Sequence, residues 1–480
     1  MLIGGCKKDD PQSDLSGRVN ISGASAADAI IEVYDVPNIS DDVLWNRMNE
    51  YTAVGFPYIP NAVFEWRASA SSRRAQTSAG EDGSFKISEL PEGDYFVIVR
   101  KPHYGWSEPI SANMRGQSLD IGTITLFPED TIQSGTFITE NTVWRSKRHY
   151  VVELNVYINN DVKLTVEPGA VVRMGDGGRI FVLGELAAEG TPESFIKFTS
   201  DNQTNPSDLD WQRINFDVAA APPLFRYCTF NFCESGILSA TGGGIVENCY
   251  FNRIGGYAMD LSGSQAAAGD SVIVRRNVIN GIPFGMRIVQ VNETGMAIEK
   301  NALFNCSSFG IDINTVYGGS IYCNWFFNCG RNDTLPGPET GVTSLMGMRN
   351  VEIYRNVFEL SWYALALGSR VDSSVHIHSN RFIRLNRVMN VGVTNDGAGP
   401  SFPTFYSNCL ENCAGYFIFV ESCHVNNIPI NATGNYWGTL SSSTIENRFN
   451  DCRNDPECPC IEYQPFLTSC PLSVVGICED

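Results

Sequence analysis

From about residue 130 onward the chain is built from short apolar and β-branched runs broken by Gly and Asn. Within runs such as KLTV (163–166) and FIKFTS (195–200), apolar and polar positions alternate at the period of a strand. Long helical periodicity is scarce. A longer period overlies the alternation: an Asn just after a short strand, then a large apolar residue two positions on. The occurrences are Asn248, Asn277, Asn301, Asn324, Asn356, Asn380, Asn408 and Asn435, spaced 23 to 32 residues apart. That spacing fits one coil of three short strands with loops of variable length. A single coil cannot bury its own apolar face, so the coils must stack. Each Asn suits a left-handed turn, and stacked amides can bond one another along the axis. Three residues before each Asn lie Ile245, Val274, Ile298, Ile321, Ile353, Ile377 and Phe405, which predicts an inward aliphatic stack.

The first part of the chain reads differently. GRVNI (17–21), AIIEVYDV (29–36), NAVFEWRA (61–68), GSFKIS (83–88) and DYFVIVRK (94–101) have strand length, with turn signals at Glu81-Asp82-Gly83 and Leu90-Pro91-Glu92-Gly93. The series Asp82-Gly83, Phe85, Ile87, Leu90-Pro91, Gly93, Tyr95 resembles the carboxypeptidase-regulatory-like family, which implies a transthyretin-like β-sandwich serving as an accessory module. A long insertion (37–60) departs from that compact pattern. Further on, LTVEPGAVVRM (164–174), GRIFVLGELAAEGT (178–191) and FIKFTS resemble the opening coils of right-handed parallel β-helix proteins of the pectin-lyase-like type, with Trp144 in the lead-in. GNYWGT (434–439) resembles the closing motif of such repeats. The expected fold is all-β: a tether over 1–16, a sandwich over 17–127, and a right-handed parallel β-helix over 128–480 with a Cys-rich C-terminal cap.

Composition narrows the function. The 480 residues carry a formal net charge of −19, which disfavours nucleic acid and anionic headgroups as partners. No run of apolar residues is long enough for a transmembrane helix. Of 15 cysteines, Cys6 stands alone and the rest fall between Cys228 and Cys478. That set points to disulfides in an oxidising compartment, against the alternative of buried free thiols. Cys228 and Cys249 occupy equivalent places in neighbouring coils, as do Cys306 and Cys329. Stacked equivalents lie ~4.8 Å apart, a separation a disulfide accepts. Cys452, Cys458, Cys460, Cys470 and Cys478 crowd a tail with little apolar pattern, where crosslinks would hold a cap. No paired CxxC motifs call for zinc. Ile3-Gly4-Gly5-Cys6 resembles a bacterial lipobox, and Lys7-Lys8-Asp9-Asp10 resembles the surface-export signal of Bacteroidota lipoproteins. The resemblance implies lipid on Cys6, attachment to the bacterial outer membrane, and exposure at the cell surface.

Candidate chemistry is sparse. Many β-helices are polysaccharide lyases or glycoside hydrolases, the latter with paired carboxylates. Adjacent Asp pairs occur only at Asp9-Asp10 and Asp41-Asp42. One row ten to twelve residues past the repeat Asn, Asp260, Arg287 and Asp312, would place two carboxylates ~9.6 Å apart with a cation between them. It reads as an exposed charge ladder or, alternatively, as a catalytic set. A second row, two residues before the Asn, runs Val246, Arg275, Glu299, Tyr322, Tyr354, His378, Tyr406, with Glu352 and His376 beside it. These residues should face outward and form a strip suited to sugar rings, or simply stabilise the sheet. No metal or other cofactor is called for, although a lyase of this shape would take calcium. The sequence thus points to a non-catalytic, lipid-anchored display protein whose partner is a polysaccharide or a surface protein. The alternatives are a β-helix lyase or hydrolase, and a spacer subunit of an outer-membrane complex.

Overall fold

A computed structural model describes residues 12–40, 42–263, 271–291, 295–330, 342–368, 370–392, 402–421, 428–471 and 478. Cys6 and the export-like Lys7–Asp10 stretch lie outside the described residues.

Two small sheets face each other at the N-terminal end. In one, Gln12–Ile21 lies between Ser84–Pro91, antiparallel, and Leu119–Leu126, parallel. The other holds Ile30–Asp35, Arg73–Ser78, Gly93–Lys101, Gly105–Trp106 and Ile110–Met114. Their inner faces bury Leu15, Val33, Phe85, Val97 and Met114. Pairing begins at Gln12, so the sandwich takes in the end of the segment read as a tether. The predicted turn at Asp82-Gly83 is present. Asp82 accepts from the Ser84 amide at 3.0 Å. Gly83 has φ +82°, and a Cβ there would lie 2.2 Å from the Val19 carbonyl oxygen. Only glycine fits that place.

The remainder is a parallel β-helix. Strands stack in three columns, each pairing in parallel with its equivalent in the next coil. The first column runs from Asp130–Ile132 to Cys409–Glu411 as a 12-stranded sheet. Its inward residues include stacked rings: Phe198, Phe230 and Phe251, then Phe326, Phe358 and Phe382. The third column contributes Val246, Val274, Ile298, Ile321, Ile353, Ile377 and Phe405 to the same interior.

Two left-handed residues bracket the short strands of the first column from Cys228 onward. The pairs are 227/232, 248/253, 300/305, 323/328, 355/360, 379/384 and 407/412, with Arg276 matched by Gly281. The first of each pair precedes the ladder position. Asn277, Asn301, Asn324, Asn356, Asn380, Asn408 and Asn435 are wholly buried there. Each Nδ2 from Asn277 to Asn408 donates to the next Oδ1 at 2.9 to 3.1 Å and to a carbonyl of the preceding coil. The next Oδ1 also accepts the backbone N–H, so these buried amides are satisfied.

Asn248 is a correction to this series. It has φ +54° and is itself the left-handed residue, one place early; Cys249 fills the ladder position and its N–H donates to Asn277 Oδ1 at 2.9 Å. The single-residue offset moves the whole coil. Val246 rather than Ile245 points inward, Phe251 rather than Tyr250 joins the core, and Glu247 rather than Val246 faces out.

The cysteine pairing is also corrected. Cys228, Cys249, Cys306 and Cys329 are free and buried, as are Cys233 and Cys413. Cys228 and Cys249 continue the ladder column as thiols, and burial holds the Cys228 thiol well above its ordinary value. Cys306 and Cys329 stack in neighbouring coils; the hydrogen bond between their thiols, then burial, raises Cys306 likewise. These sulfurs behave as small apolar fillers, not nucleophiles. The disulfides are Cys323–Cys478, Cys409–Cys470 and Cys452–Cys460, and Cys458 is disulfide-bonded as well. Cys323–Cys478 ties the tail back to a central coil.

The insertion is a strap that joins the two domains. Asp42 caps the helix Val43–Met48, accepting from Leu44 and Trp45 N–H. A helix this short gains its stability from packing. Leu44, Trp45, Met48 and Phe56 lie on the outer face of the first column, against Tyr250, Val278, Phe304 and Trp325. Arg47 reaches the buried Glu359 at 2.6 Å. Farther along, Arg67 donates to Ser200 O at 2.8 Å and to Thr199 Oγ1 at 2.7 Å. The sandwich therefore lies along the flank of the β-helix.

Candidate functional site

The outward row of the third column is continuous across nine coils. Strand register aligns Glu189, Arg226, Glu247, Arg275, Glu299, Tyr322, Tyr354, His378 and Tyr406. Its first half is a charge ladder: Arg226–Glu247 at 3.2 Å, Arg275–Glu247 at 2.9 Å and Arg275–Glu299 at 3.9 Å. The Tyr322 hydroxyl donates to Glu299, joining the charged half to the aromatic half. Glu247, the residue exposed by the Asn248 offset, was missed in the sequence because the Asn count placed Val246 there.

The aromatic half is a stack. Ring centroids lie 5.0 Å apart for Tyr322–Tyr354, 5.3 Å for Tyr354–His378 and 5.0 Å for His378–Tyr406, with interplanar angles of 2°, 5° and 15°. The ring faces are therefore turned along the axis and cover one another. What reaches solvent is a line of ring edges and polar atoms, with Tyr406 the most open, 39% exposed. This changes the chemistry expected of the strip. Interior rings cannot lie flat against a sugar; edge hydroxyls and imidazole nitrogens can hydrogen-bond to one. Burial, ahead of the neighbouring carboxylate, holds the Tyr406 phenol above its ordinary value, and burial does the same for Tyr354. Both are phenol donors at neutral pH.

Glu352 and His376 occupy the adjacent outward row, where register pairs Glu352 with His376 and His376 with Thr404. His378 Nε2 contacts Glu352 Oε2 at 2.9 Å, and His376 Nδ1 contacts Thr404 Oγ1 at 2.7 Å. The sequence-derived ligand set is thus brought together on one face.

The Asp260–Arg287–Asp312 row is assembled as read, with its charges paired. Asp260, Arg287 and Asp312 are in direct register. Arg287 lies 3.5 Å from Asp260 and 3.8 Å from Asp312. Ser262 Oγ donates to Asp260 at 2.5 Å. Ser344, Ala366 and Asn390 continue the row. The Arg287 guanidinium lies between the two carboxylates, and the arrangement is that of a charge ladder. Among the described residues, the group with metal-ligand proximity is Cys409, Glu411 and Cys470, whose two sulfurs are bonded to each other. No helix among the described residues is long and apolar enough to cross a membrane.

Neither a curated protein nor a solved structure matches the chain. A family model described as a right handed beta helix region matches residues 214–382, the coils that carry most of the Asn ladder, the Asp260–Arg287–Asp312 row and most of the aromatic stack. The domain is a right-handed parallel β-helix.

Proposed function

We propose that this chain is a non-catalytic bacterial surface lipoprotein, anchored through lipid on Cys6, that displays its β-helix to an extended glycan or surface protein. The observation that carries the reading is the Tyr322–Tyr354–His378–Tyr406 stack. It offers hydrogen-bonding edges at one per coil, beside Glu352 and His376, on a rigid sheet. Regular spacing of ~4.8 Å suits a polymer laid along the axis. The engaged state of Asp260, Arg287 and Asp312 favours this reading over hydrolysis. The carboxypeptidase-regulatory-like sandwich, strapped to the flank, would fix the orientation of the face relative to the anchor.

The test is electrophoresis of the chain through gels containing a panel of polysaccharides, with and without calcium, beside an assay for released products. Retardation without products is expected. Products would overturn the non-catalytic reading in favour of a lyase or hydrolase. Passage unretarded through every gel would leave a protein partner or a spacer role as the reading to test next. Lipidation is checked separately by metabolic labelling with a fatty-acid probe, which Cys6→Ser should abolish.

A further inference from the structure

The seam between sandwich and β-helix holds an open-mouthed cavity of about 330 Å³ that the aromatic face does not use. That volume lies at the lower end of small-molecule sites, about 300–1,000 Å³. Its walls come from the sandwich, the strap and the first coils of the helix. Trp106, Ile121, Phe127 and Phe195 supply apolar surface, and Lys147, Lys197, Glu108, Asn61 and His149 supply polar groups.

The electrostatics are uneven. Glu108 accepts from Asn61 Nδ2 at 3.0 Å. Nearby Glu65 is held by Arg67 at 2.8 Å. Lys197 interacts electrostatically with both carboxylates. Burial, the largest influence on it, lowers its proton affinity. Lys197 is half-buried and lines the cavity, where its ammonium can form a charge-assisted hydrogen bond with an anion. Lys147 adds a second cation at the exposed rim. His149 is neutral, with its pKa pushed down to about 3 by burial and then by Arg173. Its Nε2 lies 2.9 Å from Trp106 O, while its Nδ1 has no partner; Asn61 Oδ1 likewise has none.

We infer that this seam cavity is a binding site for a small organic carboxylate with an apolar body, its carboxylate held by Lys197 and Lys147. The cations select the anion, and the apolar wall takes the body. Because both domains line the cavity, the ligand would also fasten the sandwich to the helix.

Calorimetric titration of the whole chain with 4-hydroxyphenylacetate and its neutral methyl ester tests this. Saturable binding of the acid is expected, with the ester weaker by about tenfold or more. Lys197→Met, which keeps the aliphatic stem, should lose binding to the same degree. Lys147→Gln, at an exposed position that leaves folding undisturbed, should weaken it severalfold. Tyr406→Ala should leave it unchanged, which separates this site from the aromatic face. The inference is overturned if the acid does not bind saturably or binds no better than the ester. It is also overturned if either lysine variant binds the acid as the unaltered chain does.

Discussion

At the scale of single residues, the asparagines carry two different jobs that look alike in sequence. Asn277 through Asn435 are buried acceptors and donors in a ladder, whereas Asn248 supplies a left-handed backbone. Both precede an apolar residue by two places, and only the register shows that Cys249 holds the ladder position. A small buried thiol fills that position without completing the amide chain, a substitution the Asn count cannot detect. Asn324→Ala should therefore cost about 2–4 kcal/mol, since it strips partners from the Asn301 amides, the Asn356 Oδ1 and the Ile298 carbonyl. Asn248→Gly should stay within about 0.5 kcal/mol, because glycine adopts φ +54° freely. Denaturant midpoints of the two variants check the contrast.

At the scale of elements, alternation and repeat length made the stacked strands legible, but not the strap. Residues 37–60 show no long periodic pattern, and their helix Val43–Met48 is too short to announce itself. The signal lay elsewhere. The outward positions Tyr250, Phe304, Trp325 and Phe327 are apolar where solvent-facing strands should be polar. Something had to cover them, and the unassigned insertion was available. Trp45 is the anchor, 4% exposed and packed on Phe56, Tyr58 and Tyr250. Trp45→Ala should weaken strap docking by about 3–5 kcal/mol. Limited proteolysis should then cut within 37–60 well before the β-helix; an uncut strap would show that its seat rests on other contacts. The cysteines were legible only in part. The crowded tail does carry crosslinks, whereas coil equivalence alone did not distinguish a disulfide from two packed thiols, because both need the same proximity.

At the scale of the whole molecule, the sandwich and β-helix share a buried seam, and its titration sets an acid limit on the assembly. His149 stays neutral in the folded chain down to about pH 3, while an unfolded histidine binds a proton below about 6.5. The unfolded state therefore holds more protons between those values, and stability falls as pH drops from 6.5 toward 3. The loss is on the order of a few kcal/mol and begins above the range where the depressed carboxylates Glu32 and Glu65 contribute. His149→Gln should flatten the stability profile between pH 6.5 and 4.5, read from thermal midpoints; an unchanged slope would place the acid sensitivity elsewhere. The same scale decides what the protein does, since the aromatic face exists only where consecutive coils align. The most direct test is to titrate a polysaccharide that retards the chain against three forms: unaltered, Tyr406→Ala and Asp312→Asn. The account predicts that Tyr406→Ala, at the open end of the stack, weakens binding about tenfold or more, while Asp312→Asn binds as the unaltered chain does. Binding that survives Tyr406→Ala and is lost with Asp312→Asn would contradict it and move the ligand face to the Asp260–Arg287–Asp312 row.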